Sequence, residues 1–214
     1  NGVAGLKQEH IGYENGVLGG VVTALNVICS KGDNVLVHSP TYVGFTGVLK
    51  NNGYDIVHSP LVQDENGDFI ESGFAYIQNC IDWCGEFGLN MVLDLHKTAG
   101  FVFDDETQTS FFTSEVLIKR FIALWSEFAS RYGKYSSRLA FELLNEVVEE
   151  SHNAPWMKIA ERTVAEIRKT APEIKILIGS YMNNSVLTVK HIAQPFDENI
   201  VYNFHCYDPL LFTH

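Results

Sequence analysis

A chain of 214 residues, 46% hydrophobic and 19% charged, buries roughly 70% of its unfolded surface on folding and needs no disulfide or metal staple. Its formal charge of −11 argues against a nucleic-acid partner, because phosphates call for clustered Lys and Arg. No apolar run approaches the ~20 residues of a spanning helix, so no membrane partner is expected. The compartment, cytoplasmic or secreted, stays open, since no leader is recognisable and the first residue is Asn1.

In chain order, "GVLGGVVTALNVICS" reads as a helix, and "KGDNVLVHSP" as a turn followed by a buried strand that Pro40 closes. "TYVGFTGVLKNNG" is a second helix, stopped by Asn52-Gly53, and "YDIVHSPL" a second strand ending at Pro60. After the polar turn "QDENGD", "ESGFAYIQNCIDWCGEFG" sets Phe74, Ile77, Ile81, Cys84 and Phe87 at helical spacing, with Gly88 as the stop. "LNMVLDLH" is a strand. Residues 114–132 form a helix with Leu117, Phe121, Leu124, Trp125 and Phe128 on one stripe. "LAFELLNE" is a strand, "PWMKIAERTVAEIRKT" a helix opening on Pro155, "KILIGS" a strand, "NSVLTVKHIA" a short helix and "NIVYNFHCY" the last strand. Repeated βα units of this kind give parallel strands with helices outside.

The cysteines are Cys29, Cys80, Cys84 and Cys206. Cys80 and Cys84 share a helical face, but the spacing is not CxxC and no second pair completes a zinc site. Ordinary buried thiols are expected.

In parallel α/β folds, functional groups collect at the carboxyl ends of strands. Here those ends carry His96, then Asn145 and Glu146, then His205 and Tyr207. A carboxyl group among imidazoles, a phenol and an amide suits general acid/base work on a polar substrate. Each has a plainer reading. A histidine at a strand end is commonly a hydrogen-bonded structural residue, and Glu146 alone could cap a helix. Metal binding by His96 and His205 lacks HxH or HExxH spacing, so no metal is expected. Three such strand ends together favour a site.

From about Phe69 to His214, through "LDLHKTAGFVFDD", "FELLNEV" and "NFHCYDPLLFTH", the chain resembles glycoside hydrolase family 5, the cellulase-type (β/α)₈ barrels. The resemblance implies retaining cleavage of a β-linked glucan, oligosaccharide or polysaccharide, without a cofactor. Glu146 would be the general acid/base, and Asn145 would hold the sugar's 2-hydroxyl. His96 on the third strand, with His205 and Tyr207 on the sixth, would support the two carboxylates. Phe101, Phe103, Phe111 and Phe112 are candidate sugar platforms, although packing is the commoner use of each. The family's nucleophile, a glutamate on the seventh strand, has no match in these residues. Nor has its arginine at the second strand or its tryptophan at the eighth. The chain as given is therefore expected to be catalytically incomplete.

Residues 1–63, by contrast, resemble the large domain of fold-type I pyridoxal-phosphate enzymes, of the cystathionine β-lyase and aminotransferase group. That resemblance implies a phosphate site on amide groups at a helix start around Gly20, Val21 and Val22, and Tyr42 stacked on the cofactor ring. The Schiff-base lysine has no match, so a working pyridoxal enzyme is not expected.

The expected architecture is α/β: partial or rearranged TIM-barrel-like parallel βα units whose first elements come from the pyridoxal-enzyme-like segment. The segments are 1–63 and 64–214, joined as a chimera near "QDENGDF". Six strands do not close an eight-stranded barrel, so an open sheet or self-association is expected. The function expected is that of a β-glucan hydrolase, with a non-catalytic α/β scaffold, or a fragment of a pyridoxal-phosphate aminotransferase or C–S lyase, as the alternatives.

Overall fold

The computed structural model describes residues 7, 14, 16–39, 43–60, 69–103, 107–192 and 195–206. Two compact units divide the chain, residues 1–77 and 78–212.

In the first unit, helix α1 (Gly16–Ile28) leads to strand β1 (Asn34–Ser39), helix α2 (Val43–Asn51) and strand β2 (Asp55–Pro60). β1 and β2 pair in parallel from Asn34↔Asp55 to Ser39↔Pro60, as a strand–helix–strand unit requires. The turns follow from the glycines foreseen: Gly53 has φ +77, a conformation open mainly to residues without a Cβ. Leu49 and Tyr54 are buried, and the Tyr54 hydroxyl donates to Asn26 Oδ1 at 2.9 Å.

Gly20 and Val21 correct one expectation. They are the fifth and sixth residues of α1, beyond the first turn whose N–H groups lack helical partners. Their amides therefore belong to the helix ladder and are not offered to a phosphate. Tyr42 lies outside the described residues.

Helix α3 (Glu71–Glu86) crosses the division between the units. In the second unit follow β3 (Met91–Asp94), α4 (Glu115–Tyr132), β4 (Leu139–Glu142), α5 (Asn153–Ile167), β5 (Lys175–Ile178) and β6 (Ile200–Tyr202). "NSVLTVKHIA" yields a 3₁₀ turn at Val186–His191 in place of an α-helix. The four strands form one parallel sheet in the order β3-β4-β5-β6, an α/β arrangement of TIM-barrel-like type.

One sheet face packs against helices. Leu139 and Phe141 of β4 and Ile176 and Ile178 of β5 are buried. Opposite them, Phe121, Trp125 and Phe128 of α4 and Trp156 of α5 make an aromatic core, with Trp125 and Phe141 ring centroids 5.1 Å apart. Each indole finds an acceptor: Trp125 Nε1 donates to Leu143 O at 3.2 Å, and Trp156 Nε1 to Gly179 O at 3.1 Å. The expected α4 stripe is present, though Leu117 and Leu124 are only half-buried.

The other sheet face mixes apolar and charged residues and is more open. Asp94 pairs in register with Glu142, and Leu177 with Val201. Val92 and Val201 remain 49% and 42% exposed, so this face is not sealed as parallel sheets usually are. The cysteines also depart from expectation: Cys80 and Cys206 are exposed, and Cys29 and Cys84 half-buried. Surface positions on α3 and beyond β6 leave these thiols in contact with water.

Candidate active site

The strands stop earlier than the sequence pattern indicates. β3 ends at Asp94 and β4 at Glu142, so His96, Asn145 and Glu146 sit on the loops just beyond them. The chain remains tied to the sheet there. Leu95 N donates to Glu142 O, and Asn145 N to Leu95 O, both at 3.2 Å. Glu146 then turns into the left-handed region, with φ 44, which a non-glycine residue adopts at a cost of roughly 1 kcal/mol or more.

That turn aims the Glu146 side chain into a cluster. The residue is 9% exposed. His205 Nδ1 lies 2.6 Å from Oε1, and Asn183 Nδ2 donates to Oε2 at 3.2 Å. Asn145, also buried, places Nδ2 3.3 Å from His96 Nε2, and His96 Nδ1 is 2.7 Å from Asp94 Oδ2. The structure thus brings together four of the five residues foreseen. The fifth, Tyr207, lies outside the described residues, as does Asp208.

Four further residues belong to the cluster. Glu142 accepts from Asn203 Nδ2 at 2.5 Å. Burial, reinforced by the charge on Asp94, holds its carboxyl above the ordinary glutamate range. Asp94 raises His96 by its hydrogen bond, against the opposing effect of burial, and the charges of Glu146 and Glu142 add to the rise. A period-two signal was available for three of these: Asp94 stands two before His96, Glu142 four before Glu146, and Asn203 two before His205.

Asn183 carried no such signal. It lies in a left-handed run, Met182, Asn183 and Asn184, at φ 52, 56 and 56. Asparagine tolerates that conformation better than most residues. Backbone bonds anchor the run to the loop after β4, Met182 N to Val148 O at 2.9 Å and Asn183 N to Val147 O at 3.1 Å. They also anchor it to the end of β6, His205 N to Asn184 O at 2.8 Å. One strap therefore holds both partners of the Glu146 carboxyl.

The loop aromatics divide. Phe101, Phe111 and Phe112 are buried and pack on one another, with centroids 5.0 and 5.2 Å apart. Phe103 is half-buried, edge-on to His96 at 5.4 Å, and is the one left with a face to offer a ligand. Among the described residues no three His, Cys, Asp or Glu groups are placed to hold a metal ion.

A buried carboxyl held on both oxygens, beside an oriented amide, can exchange a proton with a bound polar substrate. The sequence profile of the cellulase family, glycosyl hydrolase family 5, matches residues 36–214. Cellodextrinase A of Ruminococcus flavefaciens is 46% identical over 167 residues, 76% of this chain and 50% of the relative. Endoglucanase C of Acetivibrio thermocellus is 37% identical over 171 residues, 80% of this chain and 49% of the relative. The chain thus spans about half the length of these curated relatives. Among solved structures, cellulose synthase subunit Z of Clostridioides difficile superposes with a TM-score of 0.60 at 26% identity, over 85% of this chain and 63% of that one. Thermotoga maritima Cel5A, solved with cellobiose, gives 0.61 at 21% identity over 86% and 63%, a likeness of fold. The matched range begins at residue 36 and so takes in most of β1 and all of β2. Nothing in these comparisons supports a pyridoxal-phosphate ancestry for residues 1–63 or a join between two families.

Proposed function

The chain belongs to the cellulase family, glycosyl hydrolase family 5, and on that premise we propose that it supplies the acid/base half of a retaining hydrolase of β-linked glucans. One observation carries the reading: the buried Glu146 carboxyl, with His205 on one oxygen and Asn183 on the other. The relatives named a cellodextrinase and an endoglucanase support a glucan substrate.

Retaining hydrolysis needs an acid to protonate the leaving oxygen and a second carboxylate, about 5–5.5 Å away, to attack the sugar. Glu146 takes the first role. As the sugar–oxygen bond breaks, its proton passes to the departing hydroxyl. Glu146, now ionised, then accepts a proton from the water that releases the sugar. His205 holds the carboxyl in both states. Asn145, beside it, hydrogen-bonds the sugar at the reacting ring, and His96 holds Asn145. Tyr207 belongs with this set by its place in "NFHCYD". The attacking carboxylate, expected on a seventh strand, comes from outside these residues.

Purified chain assayed on chromogenic β-glucan oligosaccharides, beside Glu146→Gln, tests the reading. General acid/base catalysis contributes about 10²–10⁴-fold, so any turnover that an attacking carboxylate makes possible is expected to fall by that order in the variant. Equal turnover in both proteins would remove Glu146 from the role. Absence of turnover in both would show that the chain is not an enzyme by itself.

A further inference from the structure

Asp94 ends β3 in register with Glu142 of β4. A carboxylate only accepts hydrogen bonds, so its 2.7 Å contact with His96 requires the hydrogen on Nδ1. In the neutral ring Nε2 then carries only a lone pair. The group facing it, at 3.3 Å, is the side-chain amide nitrogen of Asn145, which can only donate. Donation therefore runs one way, from the Asn145 amide to His96 and from His96 to Asp94. Asn145 cannot slide along this line, because its backbone N–H is fixed to Leu95 O at 3.2 Å.

We infer that Asp94 is a positioning residue that sets, through the tautomer of His96, which end of the Asn145 amide is offered to the sugar. With the neutral ring, Nδ2 is turned to His96 and Oδ1 is the end left to accept from a substrate hydroxyl. When His96 takes a second proton, both ring nitrogens donate. The Asn145 amide must then turn over to give Oδ1 to Nε2, and it presents its N–H groups to substrate instead. The acids acting on the ring are Asp94 from the end of β3 and Glu142 and Glu146 from β4 and the loop after it. Lys97, its chain neighbour, lies over the Phe103 ring at 5.6 Å. The donor–acceptor polarity that Asn145 offers is thereby coupled to one proton.

The inference rests on Asn145 facing the substrate, yet its test needs no turnover, so a wrong tautomer and an inactive protein give different results. The full chain, labelled with ¹⁵N, is examined by nitrogen–proton correlation through the imidazole rings across pH. Above the His96 titration, wild type is expected to show the Nδ1–H form, and the Asn145 amide signals should move with the His96 midpoint. Asp94→Ala should lose the Nδ1–H signature in favour of the Nε2–H form that free histidine prefers, with the midpoint displaced downward. An Nε2–H ring in wild type would overturn the proposal, as would an unchanged tautomer in Asp94→Ala. If that variant does not fold, the wild-type tautomer and the pH response of Asn145 decide the matter.

Discussion

At the scale of single residues, the site is built from conformations that sequence propensity disfavours. Glu146 and the run from Met182 to Asn184 all have positive φ, and they persist because surrounding bonds fix them. Gly179 makes room for this strap. A Cβ built on it runs into the side chain of Asn184, which is fully buried. Gly179→Ala should therefore destabilise by about 1–3 kcal/mol, the usual cost of overpacking. Urea unfolding would register this as a lower midpoint, and an unchanged midpoint would show that the strap yields freely. The signal for Glu146, Asn145, His96 and His205 was legible, because each type suits acid/base work and each follows a strand. Asn183 was not legible, since its role depends on a backbone turn and a partner 37 positions away.

At the scale of elements, helices declared themselves better than strand ends. α4 combines an apolar stripe with an N-cap at Ser114, whose side chain accepts from Leu117 N, and its observed span lies one residue from the expected start. Trp125 anchors it, with no exposed surface and its indole bonded to Leu143 O. Trp125→Ala should cost about 3–5 kcal/mol and lower the thermal midpoint markedly. A loss below about 1 kcal/mol would mean that the α4 contact with the sheet is not central to stability. Strand ends were overextended because Leu143 and Leu144 carry the apolar pattern of "FELLNE" on to Asn145. Hydrophobicity continues there for burial, while the paired strand register stops at Glu142 and only single backbone bonds run on past it. The loop after β3 shows the same logic. Its phenylalanines look like sugar platforms by type, yet three of the four are core, as packing demands more often than binding does.

At the scale of the molecule, one ion pair ties the segment before β6 to the end of α5. Arg168 Nε and Nη2 each lie 2.7 Å from an oxygen of Asp197, and Nη1 donates to Ala171 O and Ile174 O. Arg168 holds Asp197 below its ordinary value of 3.8. Because the folded value is the lower one, the stabilisation is complete above 3.8 and disappears as pH falls through the folded value. His96 is raised, so its contribution runs the other way and fades as pH rises through its folded value. Asp197→Asn should flatten the acid limb of the stability–pH curve, measured by denaturant unfolding. An acid limb as steep as in wild type would assign the effect to other carboxylates.

By itself the sequence determined the α/β alternation, the parallel strands and the family of residues 69–214, though not that of the first third, because apolar periodicity and short motifs are local and survive without neighbours. It also named the carboxyl group at the centre of the candidate site. Only the tertiary structure decided that Glu146 is gripped by His205 and Asn183, that Asp94 and Glu142 lie behind it, and that Gly20 and Val21 are interior to a helix. Those facts turn on where a strand stops and which distant side chain arrives there. They are fixed by sheet register and backbone turns, which pair residues dozens of positions apart and leave no local pattern to read.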